Sequence, residues 1–429
     1  MKITPAGRVY LLGAALCVAL TICSRGSPDR GGAFFTASLM LAGIVYLLAI
    51  REFFSAPKFP RRVLVIGLAM AALWQIEFLR VSPGADDDIH RYLWDGRVQR
   101  LGFNPYLLVP DDPAARSLHT PETRNLNHPD LPSPYPAGAE IFFRAITAVR
   151  ESVFALKIAF VLCDWAIVFV LSDLLHRTAQ PEHWVLAYAW HPLLAIDVAG
   201  SGHVDIVGAL LLLVSFAALV RRWRTIAAVA LGLAVAVKPL PIVLLPLYWK
   251  RVRVRDGALA AIVVGMLYIP FLNHGRIPIG SIGTYIHSFW FNDPVFATLR
   301  HVAAPEVIAA LAVLVGILTA TWFRKKTDAS SPGAFAWPMA ASLLFAPVVY
   351  PWYLLWMLPF LTSATTLPIV VWTVSILPTY YVWHLRALGR PFIVPVWIML
   401  LEYGSVAIVC AFVWLRRERD SAKPDALSA

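Results

Sequence analysis

The sequence predicts an all-α polytopic membrane protein. Of its 429 residues, 59% are hydrophobic and only 15% are charged, which is more apolar surface than one water-soluble core could bury. Apolar runs of about 17 to 25 residues recur along most of the chain, and each is long enough for a helix to cross a hydrocarbon layer about 30 Å thick. Because lipid cannot pair open backbone groups, these runs are expected to be helical.

Twelve spans are predicted, each an apolar run bounded by polar or basic residues. They cover residues 9–24, 33–50, 63–80, 153–175, 184–199, 204–220, 257–274, 301–323, 334–349, 353–365, 367–385 and 393–415. Short loops rich in Lys and Arg usually stay in the cytoplasm. We therefore place on that side both termini and the basic clusters at 51–62, 221–224, 250–255, 324–326 and 416–419. The formal net charge of +11 is attributed to this topology, and no nucleic-acid partner is expected.

The beginning of the chain could be confused with a secretion signal, because basic residues precede an apolar stretch. Residues 1–24 lack a small-x-small cleavage site, so we expect a retained first helix. The four cysteines lie in or beside apolar runs without metal-ligand spacing, and packing is their expected role.

Residues 225–249 require a different path through the membrane. The segment is too long for a loop, yet basic clusters flank both of its ends, so one crossing would put one cluster on the wrong side. We predict a short re-entrant hairpin broken at Lys238-Pro239-Leu240-Pro241. The chain is thus read as one integral membrane domain, 1–429, with a large first external loop at 81–152 that contains short helices.

The strongest candidate site follows the third predicted span, where Asp86, Asp87 and Asp88 precede the run Ile-His-Arg-Tyr-Leu-Trp-Asp-Gly-Arg. Adjacent carboxylates repel one another, which favours a proton on one of them and suits a general base. If Asp88 is the N-cap of a helix, the helical spacing places Tyr92 and Asp95 on the same face of that helix as Asp88. A solvated acidic loop is the alternative.

Other polar residues fall on the same predicted face. Lys238 is a lone cation in an apolar run, a costly position that is usually functional, although its side chain could also extend to the surface. His203 and Asp205 flank a predicted external turn and could orient a hydroxyl group or bind a cation. The alternative is an N-cap by Asp205 beside a solvated His203. For Asp164 and Asp197 we expect hydrogen bonds between helices.

Several short motifs occur in the order found in one enzyme class. Residues 87–97, followed by Asn104-Pro105-Tyr106, resemble the first external loop of the C superfamily of glycosyltransferases. The resemblance is strongest to bacterial polyprenol-phosphate-mannose-dependent mannosyltransferases and the related glycosyltransferase family 87. Later matches are Tyr135-Pro136, residues 191–205, Lys238-Pro239 and Pro351-Trp352-Tyr353. Departures from the family pattern are Ala137 in place of a second proline and His191 in place of the usual asparagine.

The resemblance implies transfer of a sugar, with mannose expected, from a polyprenyl-phosphate co-substrate to a lipid or glycan acceptor by inverting displacement. It implies an aspartate of this loop as the general base, for which Asp88 is the first choice and Asp87 the second. A leaving phosphate also needs positive charge, and Lys238 is the best candidate to bind it; Arg91 and Arg97 could share the donor phosphate or could simply balance the Asp triplet. Substrate contacts are predicted for Tyr92, Asp95, Asn104, Tyr135, His203, Asp205, Trp352 and Tyr353. A divalent metal is left open. The expected location is the bacterial cytoplasmic (inner) membrane, with the active site facing the periplasm or exterior and a cell envelope glycan as product.

Two other functional classes were weighed. A multi-pass transporter, or a lipid or polysaccharide flippase, would also have many helices and few buried charges. Such proteins typically show internal repeats and midplane ion sites, whereas here the charged groups gather in one long loop, which favours an enzyme. A non-catalytic partner in polysaccharide export is the third possibility. No phosphate-binding glycine-rich loop is present in the sequence, which argues against a nucleotide-sugar donor.

Overall fold

The structure is a computed structural model that describes residues 3–26, 32–56, 58–84, 88–124, 126–328, 330–362 and 366–421, with side chains to residue 416. The described chain is 72% helical and contains no strand. The predicted all-α class is therefore confirmed. The α-helices are α1 (Pro5–Arg25), α2 (Ala33–Ser55), α3 (Arg61–Leu79), α4 (Ile89–Arg100), α5 (Ala137–Val149), α6 (Val153–Arg177), α7 (Val185–Ala189), α8 (Asp205–Val220), α9 (Arg224–Val237), α10 (Leu245–Tyr248), α11 (Val254–Leu267), α12 (Ile282–Ser288), α13 (Pro294–Leu299), α14 (Pro305–Lys326), α15 (Gly333–Leu343), α16 (Leu367–Ser375), α17 (Tyr381–Ala387) and α18 (Val396–Ser421).

Seven helical segments in the described part of the chain are long and apolar enough to cross a membrane. They are α1, α2, α3, α6, α11 with the 3-10 turn that follows it, α14 and α18. An eighth is obtained if the π-helix Leu194–Gly200 and α8, which meet at 114°, are counted as one bent span. The predicted count of twelve is not confirmed.

Two other predicted spans are broken into short pieces. Residues 353–365 and 367–385 contain 3-10 turns at Leu358–Phe360 and Leu377–Tyr380, each with a proline in its first turn. Proline lacks a backbone N–H and disfavours helical conformation in the residue before it, so it ends one helix and begins another. The apolar composition had indicated spans, but the prolines divide these regions into a packed assembly of short helices.

The segment that contains Lys238 runs along α8 and then turns back. Helix α9 ends at Val237, and Lys238 takes an extended conformation (φ −149°, ψ 145°) before Pro239. The Lys238 ammonium reaches Asp205 at the start of α8. The chain then returns through a 3-10 turn and α10 until the Tyr248 hydroxyl lies 2.6 Å from Ser215 Oγ, ten residues further along α8. Lys238 thus lies at the tip of this segment, level with the start of α8.

The polar loops meet at one end of the helices. The loop between α3 and α6, which carries α4 and α5, is joined to the region after α11 by Asn104 Nδ2, which donates to the Phe271 carbonyl oxygen at 2.8 Å. Ser281 Oγ likewise donates to the Pro132 carbonyl oxygen at 2.9 Å. We call this end the loop end. At the opposite end Arg251 donates to the Thr327 carbonyl oxygen at 3.1 Å. The features predicted to be external therefore share one end, and the side of the membrane that it faces stays a prediction.

A buried lysine fixes the chain where it enters the first long loop. Lys157 on α6 is 1% exposed, and its ammonium donates to the carbonyl oxygens of Phe78, Leu79 and Val81 at 3.1, 3.0 and 2.7 Å. A cation at the carboxyl end of a helix satisfies carbonyls that have no partner within the helix. Lys157 therefore anchors the end of α3 shortly before Asp88.

Candidate active site

Asp88 lies directly before α4, where the sequence predicts it, but its side chain does not cap the helix. Its Oδ1 accepts a hydrogen bond from Asn127 Nδ2 at 2.7 Å, and its Oδ2 accepts one from the Tyr92 hydroxyl at 3.5 Å. The side chain is 22% exposed. The carboxylate is thus held in place on two sides and still accessible to a substrate, as a general base must be.

His203 lies beside Asp88, on the turn between the π-helix and α8. Its Nδ1 is 3.9 Å from Asp88 Oδ2, its Nε2 is 4.0 Å from Asp197 Oδ1, and the side chain is 1% exposed. The imidazole stacks on the Trp352 indole with centroids 4.0 Å apart and planes 9° apart. The sequence suggested a pair between His203 and Asp205. The structure instead places His203 between Asp88 and Asp197.

Gly202 allows this turn to approach α4. Its φ of +78° is a conformation that L side chains rarely adopt, and a Cβ atom there would lie 2.4 Å from Ile89 Cδ1. The turn that carries His203 can therefore pack directly on the first residue of α4, next to Asp88.

Asp205 and Lys238 form an ion pair on the other side of the site. Asp205 Oδ2 accepts from Lys238 Nζ at 2.7 Å, and Oδ1 accepts from Trp356 Nε1 at 2.8 Å. The Asp205 side chain is fully buried, whereas that of Lys238 is 16% exposed. The ammonium also lies 4.6 Å from the centre of the Tyr353 ring, a cation–π contact. The accessible cation of the site is therefore neutralised by a buried carboxylate.

Tyrosines line the space between the two charged groups. The Tyr92 ring stacks on Phe143 with centroids 4.4 Å apart and meets the edge of Tyr135 at 5.1 Å. Burial raises the pKa of the Tyr92 phenol well above its usual range, and the carboxylates of Asp88 and Asp205 raise it further. The carboxylates of Asp88 and Asp205 thus both disfavour ionisation of the Tyr92 phenol.

A second tyrosine pair closes the site from another loop. The hydroxyl groups of Tyr353 and Tyr285 are hydrogen-bonded to each other, and Tyr285 belongs to α12. Burial raises the pKa of Tyr285 further above its ordinary value, and the neutral hydroxyl group can donate a hydrogen bond.

The two arginines predicted to bind phosphate are engaged within the loop. Arg91, 3% exposed, donates to the carbonyl oxygens of residues 127, 128 and 131 at 3.3, 2.5 and 2.9 Å. Arg97 donates to the Leu118 carbonyl oxygen at 2.6 Å and forms an ion pair with Glu151. Asn104, predicted to contact substrate, spans a turn by accepting from the Tyr106 amide at 3.1 Å. These side chains hold the loop together.

Asp95 lies away from Asp88, between α4 and α5. It is fully buried beside Glu140, which accepts from Ser133 Oγ and, at 2.7 Å, from Gln99 Nε2. Burial raises the pKa of Asp95 to about 6, against the lowering effect of the Arg91 charge. Burial also raises the pKa of Glu140 well above its usual range. Burial of this pair of carboxyl groups between the two helices therefore favours their protonated forms.

Sequence reasoning missed three residues that complete the site, Asn127, Tyr285 and Trp356. None carries a motif or charge that distinguishes it from an ordinary loop or core residue. Lys157 was also missed, although a lone lysine in an apolar span is a signal. Asp87, the second choice for the base, lies outside the described residues, as does Asp86. Within the described ranges no group of three or more His, Cys, Asp or Glu residues could hold a metal ion.

One known protein family matches the part of the chain that carries most of this site. Residues 16–252 match the model of the MptA_B family, alpha-(1->6)-mannopyranosyltransferase, N-terminal domain. The match covers more than half of the chain and includes Asp88, His203, Asp205 and Lys238, whereas Tyr353 lies beyond it. No curated protein matches the sequence.

Proposed function

This chain belongs to the MptA_B family of alpha-(1->6)-mannopyranosyltransferases, and we propose that it takes mannose from a polyprenyl-phosphate donor. Family membership makes it a membrane mannosyltransferase. The donor, the chemical mechanism and the external position of the loop end are our proposal. The acceptor is a hydroxyl group of a lipid or glycan.

One observation carries the mechanism: an accessible carboxylate and an accessible ammonium, far apart in sequence, lie on either side of one tyrosine-lined site. The Asp88 side chain is 22% exposed and lies beside His203, two residues before Asp205. Asp205 in turn forms an ion pair with Lys238. A base and a cation are the two groups that displacement of a phosphate leaving group requires. Hydrolytic enzymes that cleave between sugars need a second carboxyl group as acid, but a phosphate leaves as an anion without one.

In the proposed step, Asp88 takes the proton from the acceptor hydroxyl while that oxygen attacks the anomeric carbon of mannose. The bond from the anomeric carbon to the phosphate oxygen breaks, and its electron pair stays on the phosphate. The Lys238 ammonium stabilises the charge that grows there, an interaction stronger in the transition state than in the bound donor. The step consumes the acceptor and the donor and requires no third reactant.

The stereochemistry follows from a single displacement. One attack from the face opposite the leaving group inverts the anomeric carbon, as in inverting glycosidases. If the product linkage is alpha, as the family description states, the donor mannose must be beta-linked to phosphate. A donor with an alpha-linked mannose would not react.

The test is a transfer assay with purified protein in detergent, supplied with beta- or alpha-linked polyprenyl-phosphate mannose or with a nucleotide-linked mannose. We expect transfer only from the beta-linked lipid donor. Asp88→Asn should lower kcat by about 10²–10⁴-fold, the usual contribution of a general base, with the donor KM little changed.

A matched control is Asp111→Asn, which removes a carboxylate from an exposed position of the same loop and should leave turnover unchanged. Transfer from the nucleotide-linked sugar would refute the proposed donor. Wild-type turnover in Asp88→Asn would remove the base from this position. Both variants should unfold at the temperature of the wild type if Asp88 acts in chemistry rather than in folding.

A further inference from the structure

The group behind His203 extends the proposed site further into the protein. Asp197 lies in the π-helix Leu194–Gly200 and is fully buried. Its carbonyl oxygen accepts from the backbone amides of Gly202 and His203 at 3.1 and 2.8 Å. Its carboxyl group lies 4.0 Å from His203 Nε2 and accepts a hydrogen bond from the Tyr380 hydroxyl. The backbone and the side chain of one residue therefore both hold His203.

Three groups that can carry a proton lie next to one another, beginning with the partly exposed carboxylate of Asp88. Asp88 Oδ2 lies 3.9 Å from His203 Nδ1, and the opposite ring nitrogen faces Asp197. In unliganded enzymes such contacts are often longer than a hydrogen bond and tighten when substrate binds. The Trp352 indole, stacked on the imidazole, restricts rotation of the ring.

We propose that Asp197, held by Tyr380, is a positioning residue that keeps His203 directed at Asp88, so that His203 takes up the proton that Asp88 removes from the acceptor. This inference rests on the proposed function. In the first step the acceptor O–H bond breaks and an O–H bond forms on Asp88. That proton then moves to Nδ1 of neutral His203, and the Asp197 carboxylate stabilises the resulting imidazolium. After the product leaves, the proton returns through Asp88 to solvent.

Other charged residues surround His203, and a substitution at Asp197 does not replace any of them. From α6, the stem of Lys157 lies beside Gly202. From α8 and α9, the ion pair of Asp205 and Lys238 faces the same space. Asp88 approaches from the start of α4. A change in pH dependence in an Asp197 variant therefore reports the loss of the Asp197 charge itself.

The chain contains a matched control for this arrangement. Asp164 on α6 is 1% exposed and accepts a hydrogen bond from the Tyr188 hydroxyl, as Asp197 does from Tyr380. Its other partner is Gln75 Nε2 at 2.5 Å, so it takes part in helix packing. Asp164→Asn and Tyr188→Phe thus reproduce the structural cost of the change without touching His203.

The experiment measures kcat, the donor KM and the pH dependence of kcat for Asp197→Asn, Tyr380→Phe and the two control variants. We expect Asp197→Asn to lower kcat at least about tenfold with the donor KM within about twofold, because Asp197 acts on the proton transfer that follows binding and does not contact the donor. Its acid limb should move to lower pH by about one unit, since a carboxylate within 4–6 Å favours the protonated form of its neighbour. Tyr380→Phe should lower kcat in the same sense, but less, because it removes a partner of Asp197 without removing the Asp197 charge.

Wild-type pH dependence in Asp197→Asn, or losses of kcat in Asp197→Asn and Tyr380→Phe no larger than those of Asp164→Asn and Tyr188→Phe, would overturn the inference. If Asp197→Asn does not fold, Tyr380→Phe decides, because it removes one hydroxyl group and no charge. Failure of the wild-type protein to use the lipid donor, or full activity of Asp88→Asn, would instead refute the proposed function.

Discussion

Lys238→Met is predicted to reduce both stability and turnover, for two separable reasons. In the folded protein the Lys238 ammonium is the cationic partner of Asp205, whose carboxylate is fully buried. Removal of one member of a buried ion pair typically costs about 3–5 kcal/mol because the other charge is left without compensation. The 16% exposure of Lys238 places the expected loss near the lower end, at about 3 kcal/mol. Thermal unfolding in detergent measures this part.

The catalytic part can be isolated with a second substitution. Asp205→Asn removes the carboxylate charge but keeps an oxygen that can accept from Trp356 Nε1, which is 2.8 Å away in the wild type. The double variant Lys238→Met with Asp205→Asn should therefore recover most of the lost stability, since removal of both charges of a buried pair is often nearly neutral.

Turnover should not recover with stability. If Lys238 stabilises the leaving phosphate, its loss should cost about 10²–10³-fold in kcat, as for other groups that stabilise a developing anion, and the double variant should stay as slow as the single one. Lys238→Arg keeps a positive charge and should retain more activity than Lys238→Met. Recovery of turnover in the double variant would show that Lys238 serves only to neutralise Asp205.

Three further predictions follow from other parts of the structure. Gly202→Ala, which places a Cβ in a left-handed conformation close to Ile89, should lower kcat in the transfer assay while costing about 1–3 kcal/mol in stability; unchanged kcat would show that the turn need not touch α4. The raised pKa of Asp95, about 6, means that its contribution to stability is complete below about pH 4 and is lost as the pH rises through 6; the raised pKa of Glu140 acts in the same direction. Glu140→Gln should flatten this dependence of the unfolding temperature, and an unchanged pH profile would contradict it. Finally, cysteines introduced at positions 111 and 253 should be labelled by an impermeant reagent from opposite sides of the membrane, the first from outside; labelling of both from one side would refute the proposed topology.

The long helices could be predicted from the sequence because each is an uninterrupted apolar run. The N-terminal helices and the last one agree with the predicted spans to within a few residues, apart from the extension of the last helix beyond its apolar part. The region between α15 and α18 could not be predicted in this way. There, hydropathy indicates membrane depth, but prolines such as Pro351, Pro359 and Pro378 decide where the backbone turns.

The candidate site, too, could be predicted only in part. Order and spacing of short motifs predicted that Asp88, His203 and Lys238 would lie on one face, and the structure brings all three to the loop end. The partners of each side chain were not predictable. The guanidinium of Arg91 meets carbonyl oxygens 36 to 40 residues away, and such contacts depend on how the loop folds back on itself. A charge in a sequence indicates that a partner is needed, but not which one.

If the proposed lipid donor is the substrate, the ion pair of Lys238 and Asp205 has a consequence for product release. A polyprenyl-phosphate sugar carries one negative charge, whereas the phosphate monoester left after transfer carries about 1.5 to 2. A lone ammonium would hold the spent lipid more tightly than the fresh donor and would slow each cycle. Because Asp205 shares the ammonium, the attraction to the more highly charged product is weakened. The buried carboxylate can thereby limit inhibition by the spent carrier lipid and let it exchange for a loaded one.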